Sequence, residues 1–296
     1  METALELQLG QQMRQQISPI SPVKFRTAFE ELCNKHVLLD CGIEKIDSIL
    51  KLTLGDRLAL IGNQKYTQMF VTKLCVNALL SSSSSRPSKK TTASRFHTPN
   101  VILVDAGYCC DFYQYVNFAR QYYRRDVISR VLGNTIVTRP FTVYQLTDII
   151  VDQLPKVIQQ YDGKMVIVSD LLDMFVRDPQ IGSKEATYLI NEIANSITKS
   201  RVLEDVLVIV SFSYAHNLFH YNNKLYLSYG RTILQRFNNC IEITDSKDKK
   251  NRAIDVKVSS SSNNSKRIKN TTNDFHNGKS VSINKTDLLT VSIPAK

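Results

Sequence analysis

Short apolar runs that alternate with helical segments constrain the fold of this chain more than any other feature of its sequence. The apolar runs are RLALIG (57–62), VILVDAG (101–107), NTIVTRPF (134–141), MVIVSD (165–170) and LVIVSFS (207–213). Helical patterns lie between them at 111–125, 142–160 and 184–200. Apolar strands separated by helices are typical of a mostly parallel sheet with helices on both faces. We therefore predict an α/β fold.

The segments outside this pattern differ from it in composition. Residues 1–24 are rich in Gln and contain ISPISP, residues 81–99 form a Ser-rich low-complexity insertion, and residues 259–280 are rich in Ser, Asn and Lys. Such compositions predict disorder. CIEITDS and AIDVKVS, on either side of KDKKNR, predict an antiparallel hairpin at one edge of the sheet, and a last strand could form at 281–293. We therefore place a flexible lead-in at 1–24, a core at 25–258 and a basic tail at 259–296.

Positive charge is concentrated near the end of the chain. Residues 246–296 contain eleven Lys or Arg and four Asp, and so carry +7 of the net +11. This favours a polyanionic partner such as nucleic acid, although a solubilising tail also explains it. No apolar run reaches the ~18 residues typical of a membrane span. The N-terminus lacks the layout of a signal peptide, so we expect an intracellular protein with no membrane partner.

The six cysteines, at positions 33, 41, 75, 109, 110 and 240, have no metal-binding spacing. Cys109 and Cys110 are adjacent, which is a poor arrangement for a metal site or a structural disulfide. Free cysteines are usually buried. The sequence therefore predicts reduced, mostly buried thiols and no metal.

The segment LALIGNQKYTQMF (58–70) stands where a nucleotide-binding protein has its phosphate loop, G-x-x-x-x-G-K-[ST]. Placed on Gly62, that template asks for Gly, Lys and Ser or Thr, but the chain has Thr67, Gln68 and Met69. Lys65 lies three positions before the lysine position, and a charge there does not replace it. Only the first glycine of the loop remains.

Several motifs together resemble the core of the RecA/RadA recombinase superfamily, and RadA-type recombinases and their paralogues in particular. CGIEKIDSIL is similar to the entry motif T-G-x-x-x-L-D-x-L-L, and VTRPF to A-R-A-F. MVIVSDLLDMFVRD resembles the Walker B strand and its sequel, and YGRTILQRFNNCIEI with DKKNRAIDVKV resembles the last helix and hairpin. The resemblance covers residues 25–258 and implies a RecA-like P-loop NTPase core.

ATP hydrolysis, which the resemblance also implies, needs groups that this chain lacks. Ala106 stands where such recombinases have the glutamate that orients the attacking water, and Phe212 and Ser213 stand where they have a polar sensor. The Walker B acid is shifted by one position, to Asp170. We therefore predict a degenerate nucleotide site, no cofactor and no ATP turnover. A nucleotide-binding protein with an unorthodox loop, or a site shared with a partner, remains an alternative.

Two segments could carry a non-catalytic function. FRTAFEEL (25–32) matches the F-x-x-A segment of such recombinases, which implies that Phe25 and Ala28 enter pockets of a neighbouring subunit while the backbone extends its sheet. Alternatively, Phe25 opens a helix and packs on the core.

The second segment, 212–231, matches the family's DNA-contacting loop, and its aromatic and basic side chains suit single-stranded nucleic acid. A buried or subunit-facing patch is the alternative. With the tail cations, the candidate contacts are Tyr214, His216, Phe219, His220, Tyr221, Lys224, Tyr226, Arg231, Lys266, Arg267 and Lys269.

These observations predict a non-catalytic recombinase paralogue. It would bind DNA, with single-stranded DNA favoured, and assist or regulate the filament of an active RadA-type recombinase in homologous recombination and repair. The alternative from another class is an ATP-independent scaffold subunit of a RecA-fold ring or multi-subunit complex, in which the partner could be RNA.

Overall fold

Eight strands pair into one sheet in the computed structural model. They are β1 Arg57–Gly62, β2 Asn100–Asp105, β3 Thr135–Thr138, β4 Gly163–Ser169, β5 Leu207–Ser213, β6 Asn239–Asp245, β7 Ala253–Ser260 and β8 Lys279–Asn284. Their order across the sheet is β3-β2-β4-β5-β1-β6-β7-β8. The pairings from β3 to β6 are parallel, and those of β6 with β7 and β7 with β8 are antiparallel. The predicted α/β class is confirmed.

Helices cover both faces of this sheet. They are α1 Glu44–Asp47, α2 Gln64–Ser81, α3 Phe112–Arg120, α4 Arg125–Gly133, α5 Val143–Asp148, α6 Leu154–Tyr161, α7 Asp173–Arg177, α8 Ser183–Lys199 and α9 Asn223–Leu234. One π-helical turn, Ile149–Gln153, joins α5 to α6, and a 3₁₀ turn, Arg201–Leu203, follows α8.

Successive residues of the inner strands enter two different hydrophobic clusters. In β4, Met165 and Ile167 pack with α2, α3 and α4, whereas Val166 and Val168 pack with α5, α6, α8 and α9. Side chains of a strand alternate between the two faces of a sheet, so a strand covered on both faces must be apolar at every position. This explains why the strand runs are continuous rather than alternating.

The structure describes residues 40–81, 100–121, 125–213, 223–245, 253–260 and 279–284. The chain divides into two compact units, Met1–Lys35 and His36–Lys296, and all described residues belong to the second. The predicted lead-in, nearly all of the 81–99 insertion, and most of the tail lie outside the described residues. Among the helices of the described ranges, none is long and apolar enough to cross a membrane.

Two predicted helices differ from their predictions. The one expected at 111–125 is α3, which begins where the Asp111 carboxylate accepts the N–H of Tyr113 at 2.9 Å and ends at Arg120, and α4, from Arg125 to Gly133, was not predicted. The one expected at 142–160 contains the π turn. Pro155 has no N–H to donate to the preceding turn, and an α-helix must adjust or break at such a residue.

The predicted hairpin is present, but it is not at the edge of the sheet. β6 and β7 pair antiparallel from Asn239 to Asp245, and β8 then pairs with the far side of β7. Among the strands that the structure describes, the hairpin is therefore internal, and β8 and β3 are the two edge strands.

Candidate functional site

Four parallel strands end side by side at one edge of the sheet. Gly62 of β1 is paired with Ser213 of β5, and Asp105 of β2 with Ser169 of β4. In parallel α/β sheets, ligands bind at the carboxyl ends of the strands. The residues predicted to form the degenerate nucleotide site, including Ala106 and Asp170, lie at this carboxyl edge.

The turn from β1 into α2 is a single residue, Asn63. Helix α2 begins at Gln64, and the Asn63 carbonyl oxygen accepts the N–H of Thr67 at 3.0 Å. The Asn63 side chain accepts the N–H of Lys65 at 3.0 Å. A phosphate loop works by pointing several backbone amides at the phosphates. Here the amides of Lys65, Tyr66 and Thr67 are bonded to Asn63 within the helix start instead.

The other positions of the phosphate-loop template lie in the first turns of α2. Thr67 and Met69 are buried and Lys65 is exposed. The Thr67 hydroxyl donates to the carbonyl of Gln64 at 3.0 Å, and the Gln68 amide donates to the carbonyl of Cys109. These side chains are therefore used to pack the helix and to hold the loop after β2.

Asp170 links three elements at the carboxyl edge. Its carboxylate accepts the backbone N–H of Ser213 at 2.8 Å and the side-chain amide of Gln64 at 3.1 Å. Its own N–H donates to the Ser211 hydroxyl at 2.9 Å. Asp170 is 3% exposed and has a φ of 54°, a left-handed conformation that Asp tolerates better than most residues. Asp170 thus links β4, β5 and α2.

Asp170 and Asp173 both have raised pKa values. Burial is the main cause for each. The pKa of Asp173 rises to about 6, because the negative charge of Asp170 adds to the effect of burial, although Arg177 opposes both. Arg177 Nε lies 2.7 Å from the Asp173 carboxylate. The ionised form of each acid is therefore disfavoured relative to an exposed carboxyl group.

Asp105 organises the loop that follows β2. Its fully buried carboxylate lies 2.9 Å from Arg139 Nε and accepts the N–H of Cys109 at 2.9 Å. Ala106, which stands where the resemblance implies a catalytic glutamate, is buried, and the N–H of Gly107 donates to the Ser169 carbonyl at 3.0 Å. The loop is thus held against the end of β4.

An exposed aromatic pair beside this ion pair was missed by sequence reasoning. The ring centroids of Tyr108 and Phe141 are 6.1 Å apart, and their side chains are 50% and 75% exposed. The Tyr108 hydroxyl donates to the Pro140 carbonyl at 2.6 Å. These residues lie in two separate loops, after β2 and after β3, so nothing in the local sequence pattern groups them.

The residues predicted to contact nucleic acid or to dock a partner are mostly outside the described part of the chain. This applies to Phe25, Ala28, Tyr214, His216, Phe219, His220, Tyr221, Lys266, Arg267 and Lys269. Lys224, Tyr226 and Arg231 lie in α9, which begins at Asn223. Arg231 is exposed.

A small apolar pocket lies beside the edge strand β3. Its volume is about 70 Å³, and it is bounded by β2, β3, the π turn and α6. The lining residues are Ile102, Val104, Ile136, Thr138, Ile149, Gln153, Leu154 and Val157. Single π-helical turns often occur at functional sites. Among the described strands, β3 pairs only with β2, so its outer backbone groups face away from the sheet.

The cysteines only partly follow the sequence prediction. Cys41, Cys75 and Cys240 are buried and free, as expected, but Cys109 and Cys110 are half-exposed and lie at the carboxyl edge. In the described residues, the carboxyl ends of the strands are therefore covered by the protein's own side chains, and the pocket lies at the β3 edge of the sheet.

Neither a comparison with models of protein families nor a search among curated proteins found a match to this chain.

Proposed function

We propose that this chain is a non-catalytic paralogue of RadA-type recombinases that binds single-stranded DNA and joins the filament of an active recombinase. The observation that carries the proposal is the closed carboxyl edge, where ATP chemistry would take place in such a protein. Gln64 and Ser213 both donate to the Asp170 carboxylate there, and only Asn63 separates β1 from α2. A chain of this kind would act through its surfaces and would not turn over ATP.

The position of the matched motifs supports a RecA-like core. The strands matched to the phosphate-loop strand, the Walker B strand and the sensor strand are β1, β4 and β5, which are neighbours and end together. The entry motif also has a physical role. The Asp47 carboxylate accepts the N–H groups of Cys41, Gly42 and Ile43 at 2.7, 3.0 and 3.0 Å, and Gly42 has a φ of +74°. A glycine and an acid at this spacing thus stabilise one turn before α1.

The β3 edge supports assembly with a neighbouring subunit. An extended segment can add a strand to a free sheet edge, with main-chain hydrogen bonds giving affinity and pockets giving specificity. The pocket beside β3 has about half of the ~150 Å³ that holds a benzene molecule in an engineered cavity. It would take a small apolar side chain as it stands, and a Phe ring after the pocket widens. We propose that it receives an F-x-x-A segment such as residues 25–28 of a neighbouring subunit.

Peptide binding tests this docking mode. The host is the full-length chain carrying Phe25→Ala and Ala28→Glu, so that its own segment does not compete. A fluorescent peptide of residues 21–32 should bind this host saturably, as measured by anisotropy. Adding Thr138→Arg to the host should weaken binding by at least about tenfold, roughly 1.4 kcal/mol, because the long cation enters the apolar pocket.

The matched control is Val137→Arg in the same host. Val137 is on the same strand but does not line the pocket, and it is already exposed. Its replacement should leave the peptide affinity unchanged. Equal affinities for the two arginine variants, or no binding to the host at all, would refute docking at this pocket.

A further inference from the structure

Three potential metal ligands converge at the carboxyl edge. The sulfur atoms of Cys109 and Cys110 and a carboxylate oxygen of Asp105 all lie within 4.8 Å of one another. Both cysteines are half-exposed, whereas Asp105 is completely buried at the end of β2. Adjacent cysteines do not by themselves predict a site, but a third ligand from the strand end makes a three-sided cluster whose two thiols are partly exposed.

The backbone holds the two thiols in this arrangement. Tyr108 has a φ of 52°, which turns the chain sharply just before the cysteines. The Asp105 carboxylate then accepts the N–H of Cys109 at 2.9 Å and that of Cys110 at 3.3 Å. The Cys110 sulfur also lies 3.3 Å from the Ser169 hydroxyl. The cluster is therefore positioned by hydrogen bonds before any ligand arrives.

We propose that Cys109, Cys110 and Asp105 bind a thiophilic divalent cation, with Zn²⁺ as the reference ion. Thiolate and carboxylate groups are both common Zn²⁺ ligands, at about 2.3 Å and 2.0–2.2 Å from the metal. Tetrahedral coordination at those lengths separates the ligand atoms by roughly 3.3–3.8 Å. Small side-chain rotations therefore suffice to close the cluster on one ion, with a water molecule in the fourth position.

The charges of the ligands and the acceptor positions of the Asp105 carboxylate are consistent with this site. Two thiolates and one carboxylate carry three negative charges, which the ion and the neighbouring Arg139 guanidinium together neutralise. A carboxylate has about four acceptor positions. The N–H of Cys109 and the Arg139 Nε each occupy one of them at 2.9 Å. The N–H of Cys110 lies 3.3 Å from both oxygens, so the metal would take a position that this long, shared contact now uses.

Cobalt titration tests the proposal, because Co²⁺ substitutes for Zn²⁺ and reports its ligands optically. The sample is the full-length, untagged, reduced protein under anaerobic conditions. One equivalent of Co²⁺ should give sulfur-to-cobalt charge-transfer bands and the strong visible bands of a tetrahedral site, and Zn²⁺ should remove both. Cys109→Ser and Cys110→Ser should each weaken Co²⁺ binding by more than about tenfold, since even outer-shell changes cost 10–100-fold.

Cys240→Ser is the control, because Cys240 is buried in the core away from this cluster and its loss should leave the bands unchanged. Far-ultraviolet circular dichroism checks that each variant is folded. The absence of a saturable sulfur-to-cobalt band in the wild-type protein overturns the proposal. Bands that persist when both Cys109 and Cys110 are replaced by serine also overturn it, because the metal would then be bound elsewhere.

Discussion

Replacing Asp170 with alanine should lower the free energy of unfolding by about 2–3 kcal/mol. The change leaves the buried N–H of Ser213 without its carboxylate acceptor, which costs about 1–3 kcal/mol. It also places alanine at a φ of 54°, which costs roughly a further 1–2 kcal/mol. Removing a buried acid with a raised pKa returns part of this cost. Urea unfolding followed by circular dichroism measures the difference.

Asp170→Asn is the matched control for that substitution. Asparagine keeps an oxygen acceptor for the Ser213 N–H, tolerates the left-handed conformation and removes the buried charge. We therefore expect its free energy of unfolding to lie within about 1 kcal/mol of that of the wild-type protein. If Asp170→Ala is as stable as Asp170→Asn, the carboxylate is not a structural link between β4, β5 and α2, and its burial requires a ligand.

Replacing Gly62 with alanine should destabilise the fold by about 3 kcal/mol. A Cβ atom at this position would lie 2.3 Å from the carbonyl oxygen of Ile243 in β6. Backbone atoms of a paired strand cannot move aside as a flexible side chain can, so β1 and β6 must separate or bend. Overpacking of this kind costs about 1–3 kcal/mol, and we place Gly62 at the upper end. Thermal unfolding and urea unfolding both measure this loss of stability.

Gly133→Ala provides the contrast. Nothing lies within 4 Å of a Cβ added at Gly133, which ends α4, so this variant should be unchanged or more stable by up to about 1 kcal/mol. If Gly62→Ala is equally well tolerated, the close approach of β1 to β6 does not explain this glycine. A bound phosphate would then be the better reason for a glycine at this position.

The strands could be predicted from sequence because their cause is local. Met165 to Val168 must be apolar at every position because they contact helices on both faces of the sheet. The apolar sequence of β4 shows this requirement directly. The hairpin of β6 and β7 was predictable for the same reason, because a charged turn separates two short apolar strands. The prediction of one helix at 142–160 did not take Pro155 into account, and the π turn before it depends on the helix packing against β2 and β3.

The functional features depend on tertiary structure and could be predicted only in part. The sequence predicts a degenerate site at Gly62, Ala106 and Asp170, but it does not predict that α2 begins at Gln64. The Asp170 link needs contacts from residues 106 and 43 positions away along the chain. The pocket beside β3 is assembled from four separate elements, and the Cys109–Cys110–Asp105 cluster depends on a turn at Tyr108.

Titration of the purified full-length protein with fluorescent single-stranded DNA, with thermal unfolding measured in parallel with and without Mg-ATP, tests the proposed function most directly. We expect DNA to bind, with an affinity that falls as salt is raised because the contacts are largely to phosphates. We also expect Mg-ATP to leave the Tm unchanged, since a ligand raises the Tm only if it binds the folded state. A Tm raised by Mg-ATP would contradict the closed carboxyl edge. Absence of DNA binding at low salt would contradict the recombinase role and favour a scaffold subunit.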